Sequence, residues 1–114
     1  MNTEVKEIYL VEGATDLRMG IDGYAAIVQS RLMTSPLQQK AFCFCNGRHN
    51  RLKILYWDGT GFWLLYKRLE KGTFRWPSEG DSAMKVTRQQ MRWLLEGLDP
   101  RQKRAFLPSR AEYV

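Results

Sequence analysis

Few residues in this chain could do chemistry, and their spacing argues against most of it. His49, Cys43 and Cys45 are the only histidine and cysteines, whereas a closed metal site takes about four ligands. In AFCFCN the two cysteines stand two apart. An extended backbone would point both thiols to one face, too far apart for an unstrained disulfide, so reduced core thiols and no metal are expected. The carboxylates Asp16, Asp22, Asp58, Glu70, Asp81 and Glu96 are scattered along the chain. Phosphoryl transfer on two metals needs carboxylates that converge. His49-Asn50 lacks the further histidines of a metal nuclease, and no Gly-rich loop runs into Lys-Ser or Lys-Thr, so nuclease and nucleotide-hydrolysis readings find no support. No catalytic residue and no cofactor are assigned, and the chain is read as a non-enzyme.

What remains is a surface that could hold a polyanion. From Lys40 to Trp76 eight bases (Lys40, Arg48, Arg51, Lys53, Lys67, Arg68, Lys71 and Arg75) face two acids, Asp58 and Glu70, so this stretch carries the whole net charge of +6. Aromatic residues are interleaved among those bases. Nucleic acid is the polyanion such a pattern fits, bases meeting phosphates and rings stacking on bases. Arg48, His49, Arg51, Lys53, Arg68, Lys71 and Arg75 are the expected DNA contacts. Trp57, Tyr66 and Trp76 are the candidates for stacking or partner contact, while Tyr56 and Trp63 are assigned to packing. The competing view is a charged face that only keeps a small protein soluble.

The elements that must position these residues follow from periodicity. EIYLVEG reads as a short strand ended at Gly13. Ile21, Tyr24, Ala25, Val28 and Leu32 follow helical spacing, predicting a helix that stops near Leu32 or Met33, before TSPLQ. Four strand candidates come next, AFCFC, RLKILYW, FWLLYKRLE and TFRW. Asn-Gly in NGRHN and the turn residues DGTG predict antiparallel hairpins. If Trp57 opposes Phe62, then Leu55 meets Leu64, Lys53 meets Tyr66 and Arg51 meets Arg68, with Leu52, Ile54 and Tyr56 on the other, core-facing side. PSEGDSAM reads as a surface loop, MKV as one more strand, and Thr87 with Gln90 as a capping box opening a helix through Met91, Leu94, Leu95 and Leu98. Trp93 is expected partly buried beside that stripe.

The fold class expected is α+β: an antiparallel β-meander of about four or five strands with two helices packed on it, one face covered. At 114 residues, 44% hydrophobic and 12% aromatic, the chain has enough apolar content for one core. A single domain is expected over residues 1–99, followed by a basic, flexible tail over 100–114. No apolar run approaches the roughly 18 residues of a membrane span, and the N-terminus lacks a signal pattern. A cytoplasmic protein with no membrane partner is expected.

Four stretches, DLRMGIDGYAAIV (Asp16 to Val28), RLKILYWDGTGF (Arg51 to Phe62), YKRLEKGTFRWP (Tyr66 to Pro77) and LLEGLD (Leu94 to Asp99), resemble in order the small accessory proteins, of Orf2/TnpB type, of the bacterial insertion sequences in the family numbered sixty-six. The Trp-Asp-Gly turn followed by Lys-Arg-Leu-Glu is the specific combination. The chain departs from the pattern at Asn50, where an aspartate is common. The resemblance implies a protein encoded beside a transposase and needed for efficient transposition, without catalysis of its own. DNA, the transposase and other element-encoded proteins are then the expected partners. The alternative is a protein-interaction module of the transposition complex that never touches DNA.

Overall fold

The computed structural model describes residues 5–77, 80 and 82–97. In chain order they form β1 (Glu7–Val11), α1 (Ile21–Ser30), β2 (Lys40–Cys45), β3 (Arg51–Trp57), β4 (Phe62–Arg68), β5 (Ala83–Val86) and α2 (Arg88–Leu95). The strands make one sheet in the order β4-β3-β2-β1-β5, so the α+β class holds. The expected meander is present as β2-β3-β4, with every pair antiparallel. β1 departs from it, because it runs parallel to β2, with Ile8 beside Ala41 and Leu10 beside Cys43. Parallel neighbours need a crossover, and α1 supplies it.

The helices lie on opposite faces, not on one. α1 places Tyr24 and Val28 against Val11, Phe42, Phe44 and Leu55. α2 places Met91 and Leu94 against Ile8, Leu10, Cys43, Cys45, Leu52, Ile54 and Tyr56. β2 accordingly buries five consecutive residues, Ala41 to Cys45, as a strand covered on both sides must. The two thiols do share a face, and burial alone drives both pKa values up, Cys45 to about 12, which leaves them protonated and inert.

TFRW is not a strand. β4 ends at Arg68 rather than Glu70, and residues 69–77 cross the α2 side of the sheet as irregular chain. Three contacts fix that path: Leu69 N–H to Asn50 O at 2.8 Å, Phe74 N–H to His49 O at 2.6 Å, and Trp76 Nε1 to Val11 O at 2.9 Å. Phe74 and Trp76 thereby enter the α2-side core.

Helix boundaries follow local chemistry. Gly23, inside α1, costs helix propensity, but a Cβ there would fall 2.8 Å from the Met19 side chain. The glycine makes room for Met19 to pack on the α1-side core. α2 opens on the expected capping box, with Thr87 Oγ1 accepting from Gln90 N–H at 3.0 Å and Gln90 Oε1 accepting from Thr87 N–H at 2.8 Å. Thr87→Ala removes half of the box and is expected to cost about 1 kcal/mol in urea unfolding. Thr87→Ser should cost much less. Trp93 is more deeply buried than expected, at 5% exposure. α2 ends at Leu95, and Gly97, with φ +85°, lies just beyond its C-cap Glu96; Leu98 of the expected stripe and the tail over 100–114 lie outside the described residues.

Candidate nucleic-acid interface

The β3-β4 hairpin sets the geometry of the site. Its register is the one the alternation predicts, with Trp57 opposite Phe62, Leu55 opposite Leu64, Lys53 opposite Tyr66 and Arg51 opposite Arg68. Asp58 closes the turn. Its Oδ1 accepts from Thr60 N–H (2.8 Å), Thr60 Oγ1 (2.9 Å) and Gly61 N–H (2.9 Å), and its Oδ2 accepts from Trp63 Nε1 (2.8 Å). Gly59 takes φ +98°, a conformation that side chains resist. Four donors on one carboxylate, the Thr60 N–H first among them, hold the Asp58 pKa down to about 2.

That depression has a pH consequence. A carboxylate with a folded pKa near 2 and an unfolded one near 3.8 contributes stability fully above about pH 4, and the contribution is lost as pH falls through about 2. The Trp63 indole N–H resonance is expected to shift with an apparent midpoint near pH 2. In Asp58→Asn that titration should vanish, and the acid loss of stability between about pH 4 and 2 should shrink.

On the α1 side of this hairpin lies a cleft of about 680 Å³, walled by the β1-α1 loop (Thr15, Asp16, Leu17, Arg18), the β2-β3 turn (Asn46, Gly47) and the strand residues Arg51, Lys53, Leu64 and Tyr66. Thr15 N–H donates to Cys45 O at 2.8 Å and ties the loop to the end of β2. Asn46 holds the turn, its Oδ1 accepting from Asn50 and Arg51 N–H at 3.0 Å each and its Nδ2 donating to Asn50 Oδ1 at 2.8 Å. Asn50 therefore works as a neutral acceptor inside the turn. Next to it His49 adopts φ +58° and is half-buried, its carbonyl engaged by Phe74.

The charges in the cleft are not equally available. Asp16 is gripped by Arg18, Nε to Oδ1 at 3.0 Å and Nη2 to Oδ2 at 2.8 Å. Those bonds, with the Arg18 N–H and the nearby Lys53 charge, hold the Asp16 pKa at about 2. Lys53 is half-buried, with Nζ donating to Met19 O at 3.0 Å and lying 5.6 Å and 5.8 Å from the Tyr24 and Tyr66 ring centres. Arg68 is engaged by Glu70, Nε to Oε2 at 2.8 Å. Arg51 is exposed and has no side-chain partner among the described residues. It sits opposite Arg68 at a position where the two strands exchange no hydrogen bonds, the closer kind of cross-strand pair. Thr15 is 92% buried in the cleft wall, and its Oγ1 has no partner among the described residues.

The expected contacts therefore fall into groups. Arg51, Lys53, Tyr66 and Arg68 share the α1 side, with Trp57 further along it in edge contact with Phe62 at 5.0 Å. Arg48 is exposed on the β2-β3 turn. Lys71 and Arg75 line a separate depression with Leu95 and Glu96 of the α2 region. Two aromatic expectations are corrected. Trp76, expected at the surface, is 4% exposed and bonded to Val11, so it is a core residue. Trp63, assigned to packing, is 51% exposed, because it lies on the edge strand β4. Its ring stacks on Tyr56 at 6.4 Å and its outer side is open. Sequence reasoning missed Thr15, Asp16, Arg18 and Asn46. Asp16-Leu17-Arg18 is neutral as a segment, and nothing in a sequence marks a hydroxyl that will be buried without a partner.

The mixed sheet, with helices on both faces and a basic cleft at one end, makes this a small α+β protein. Its residues 6–105 match the family model described as IS66 Orf2 like protein, and the chain belongs to that family. It is also similar to two proteins of Sinorhizobium fredii. The uncharacterized protein y4hO is 36% identical over 92 residues, covering 81% of this chain and 80% of its own length. The uncharacterized protein y4jC is 38% identical over 84 residues, covering 74% and 72%. No solved structure matches. Family membership gives the chain an accessory role associated with insertion-sequence transposition. No helix among the described residues is long and apolar enough to cross a membrane.

Proposed function

We propose that this chain is a non-catalytic accessory factor that binds transposon DNA through the α1-side face of its sheet and assists a separate transposase in the cytoplasm. The observation that carries the reading is the unpaired Arg51 guanidinium held beside Arg68 over the cleft. Like charges at a close cross-strand position destabilise a free protein and are relieved by an anion. The 54% exposed Tyr66 ring adds a stacking surface of the kind a nucleotide uses. The arginine contacts go to phosphates, so affinity should depend on salt more than on sequence. Asp16, Glu70 and Asp58 are engaged by Arg18, Arg68 and the turn, and no three metal-ligand side chains come together among the described residues, which supports the non-catalytic part.

The test is a titration of nuclease-treated, nucleic-acid-free protein into labelled duplex DNA at several salt concentrations. Binding that weakens linearly with log salt is the expected result. A wild-type protein that ignores DNA but co-purifies with the transposase favours the interaction-module reading, for which the half-exposed Trp63 is the supporting observation.

A further inference from the structure

The two rims of the sheet differ in kind. β5, at one rim, is four residues long and carries the exposed Lys85, the short, charged form that discourages pairing. β4, at the other, is seven residues long and exposes Trp63 and Tyr66 by 51% and 54%. Its free main-chain groups can be assigned from the turn bonds. Asp58 N–H to Gly61 O and Leu69 N–H to Asn50 O continue the β3-β4 register at both ends. The odd-numbered residues of β4 therefore bond to β3, and Phe62, Leu64, Tyr66 and Arg68 turn their N–H and C=O groups outward.

We propose that a second copy of this chain pairs antiparallel on β4, about a two-fold axis through Leu65 perpendicular to the sheet, to give one ten-stranded sheet. The order of residues in FWLLYKR selects this occupant and this register. Centred on Leu65, Phe62 meets the partner's Arg68, Trp63 meets the partner's Lys67, Leu64 meets the partner's Tyr66, and Leu65 meets its own copy. Each end of the strand brings an aromatic ring to a cation, and no two like charges are opposed. The outward groups of both strands then form about eight main-chain hydrogen bonds. Parallel pairing in register would instead set Lys67 beside Lys67 and Arg68 beside Arg68, and an antiparallel shift by two residues leaves the end pairs unmade. Trp63 is already fixed for the contact, stacked on Tyr56 and bonded to Asp58. The pairing stands independently of DNA binding, although the axis would bring both clefts to one side of the assembly.

Sedimentation of the whole protein should show a dimer. Trp63→Lys sets lysines against Lys67 and is expected to raise the dimer dissociation constant at least about tenfold. Adding Lys67→Glu opposes the new lysine with an acid across the axis and should restore it to within about threefold. Within one chain, positions 63 and 67 lie about 13 Å apart along the strand, so restoration reports the intermolecular pair. A second measurement does not require changing Trp63. Leu65→Cys should form a disulfide-linked dimer with diamide, its two copies meeting at a close, non-bonded position, while Lys67→Cys, at an exposed position, should not. The buried Cys43 and Cys45 stay unreactive in both. A wild-type monomer at about 0.1 mM protein overturns the proposal, whether or not the edge then takes up the transposase. So does a dimer that folded Trp63→Lys leaves unchanged, a double variant that does not recover, or Lys67→Cys cross-linking as readily as Leu65→Cys.

Discussion

Replacing Arg51 and Arg68 together by alanine is expected to weaken duplex DNA binding roughly fifty-fold at 0.1 M salt and to flatten the slope of log affinity against log salt by about 2. Each phosphate neutralised contributes about 0.9 to that slope, so four or five contacts from the α1-side face and the adjoining turn give a wild-type slope of roughly −3.5 to −4.5. At 0.1 M salt the same factor makes each contact worth nearly one decade of affinity. The variant should fold about as well as the wild type, because the change removes a like-charge pair at the cost of only the exposed Arg68–Glu70 ion pair. Lys71→Ala with Arg75→Ala is the matched control, since those bases line a different depression. It should leave the slope nearly unchanged. Equal effects of the two double variants would mean that charge is read without regard to face, and an unchanged slope in the first would remove Arg51 and Arg68 from the interface.

Trp76→Ala is expected to cost about 3–5 kcal/mol of folding stability in urea denaturation. A small domain has about 5–15 kcal/mol in total, so this one substitution takes a large share. The side chain is 4% exposed, packs in the α2-side core and spends its indole N–H on Val11 O at 2.9 Å. Removing it leaves a cavity and frees a buried carbonyl at the end of β1. Trp76→Phe keeps most of the volume and should cost less than half as much. Among molecules that remain folded, neither change should alter the salt slope of DNA binding. A loss of DNA affinity with undiminished stability would return Trp76 to the stacking role that its neighbours in sequence suggest.

Local chemistry made much of this fold legible. The alternation on both sides of DGTG set the β3-β4 register residue by residue, and Thr87 with Gln90 marked the start of α2, because both signals involve neighbours in sequence. The parallel pairing of β1 with β2 involves partners far apart in the chain and leaves no local trace. Two-sided burial did leave one. Phe42 and Phe44 alternate with Cys43 and Cys45, so both faces of β2 are apolar, which is the pattern of a strand covered twice. Trp63 shows the limit of alternation, which gives the face a residue takes but not how far across that face the cover extends. Trp76 shows the limit of composition, since adjacent Arg75 is exposed while the indole turns under the sheet. In the site, Arg51, Lys53, Tyr66 and Arg68 were readable from charge and period. The loop that meets them, Thr15 to Arg18, is positioned by Thr15 N–H to Cys45 O, a contact between distant segments.

The position of β1 also governs the order in which the domain can be built. The three meander strands are neighbours in sequence and can assemble early from short-range loops. β1 must wait for partners roughly thirty residues downstream on one side and roughly seventy on the other, from Glu7 beside Lys40 to Val11 beside Ala83. During synthesis β1 can join β2 well before β5 emerges. Until residues 83–86 arrive, its outer rim, including the main chain around Leu10, remains an open template in the half-made sheet. That interval exposes the nascent chain to mispairing, and it closes only when β5 emerges.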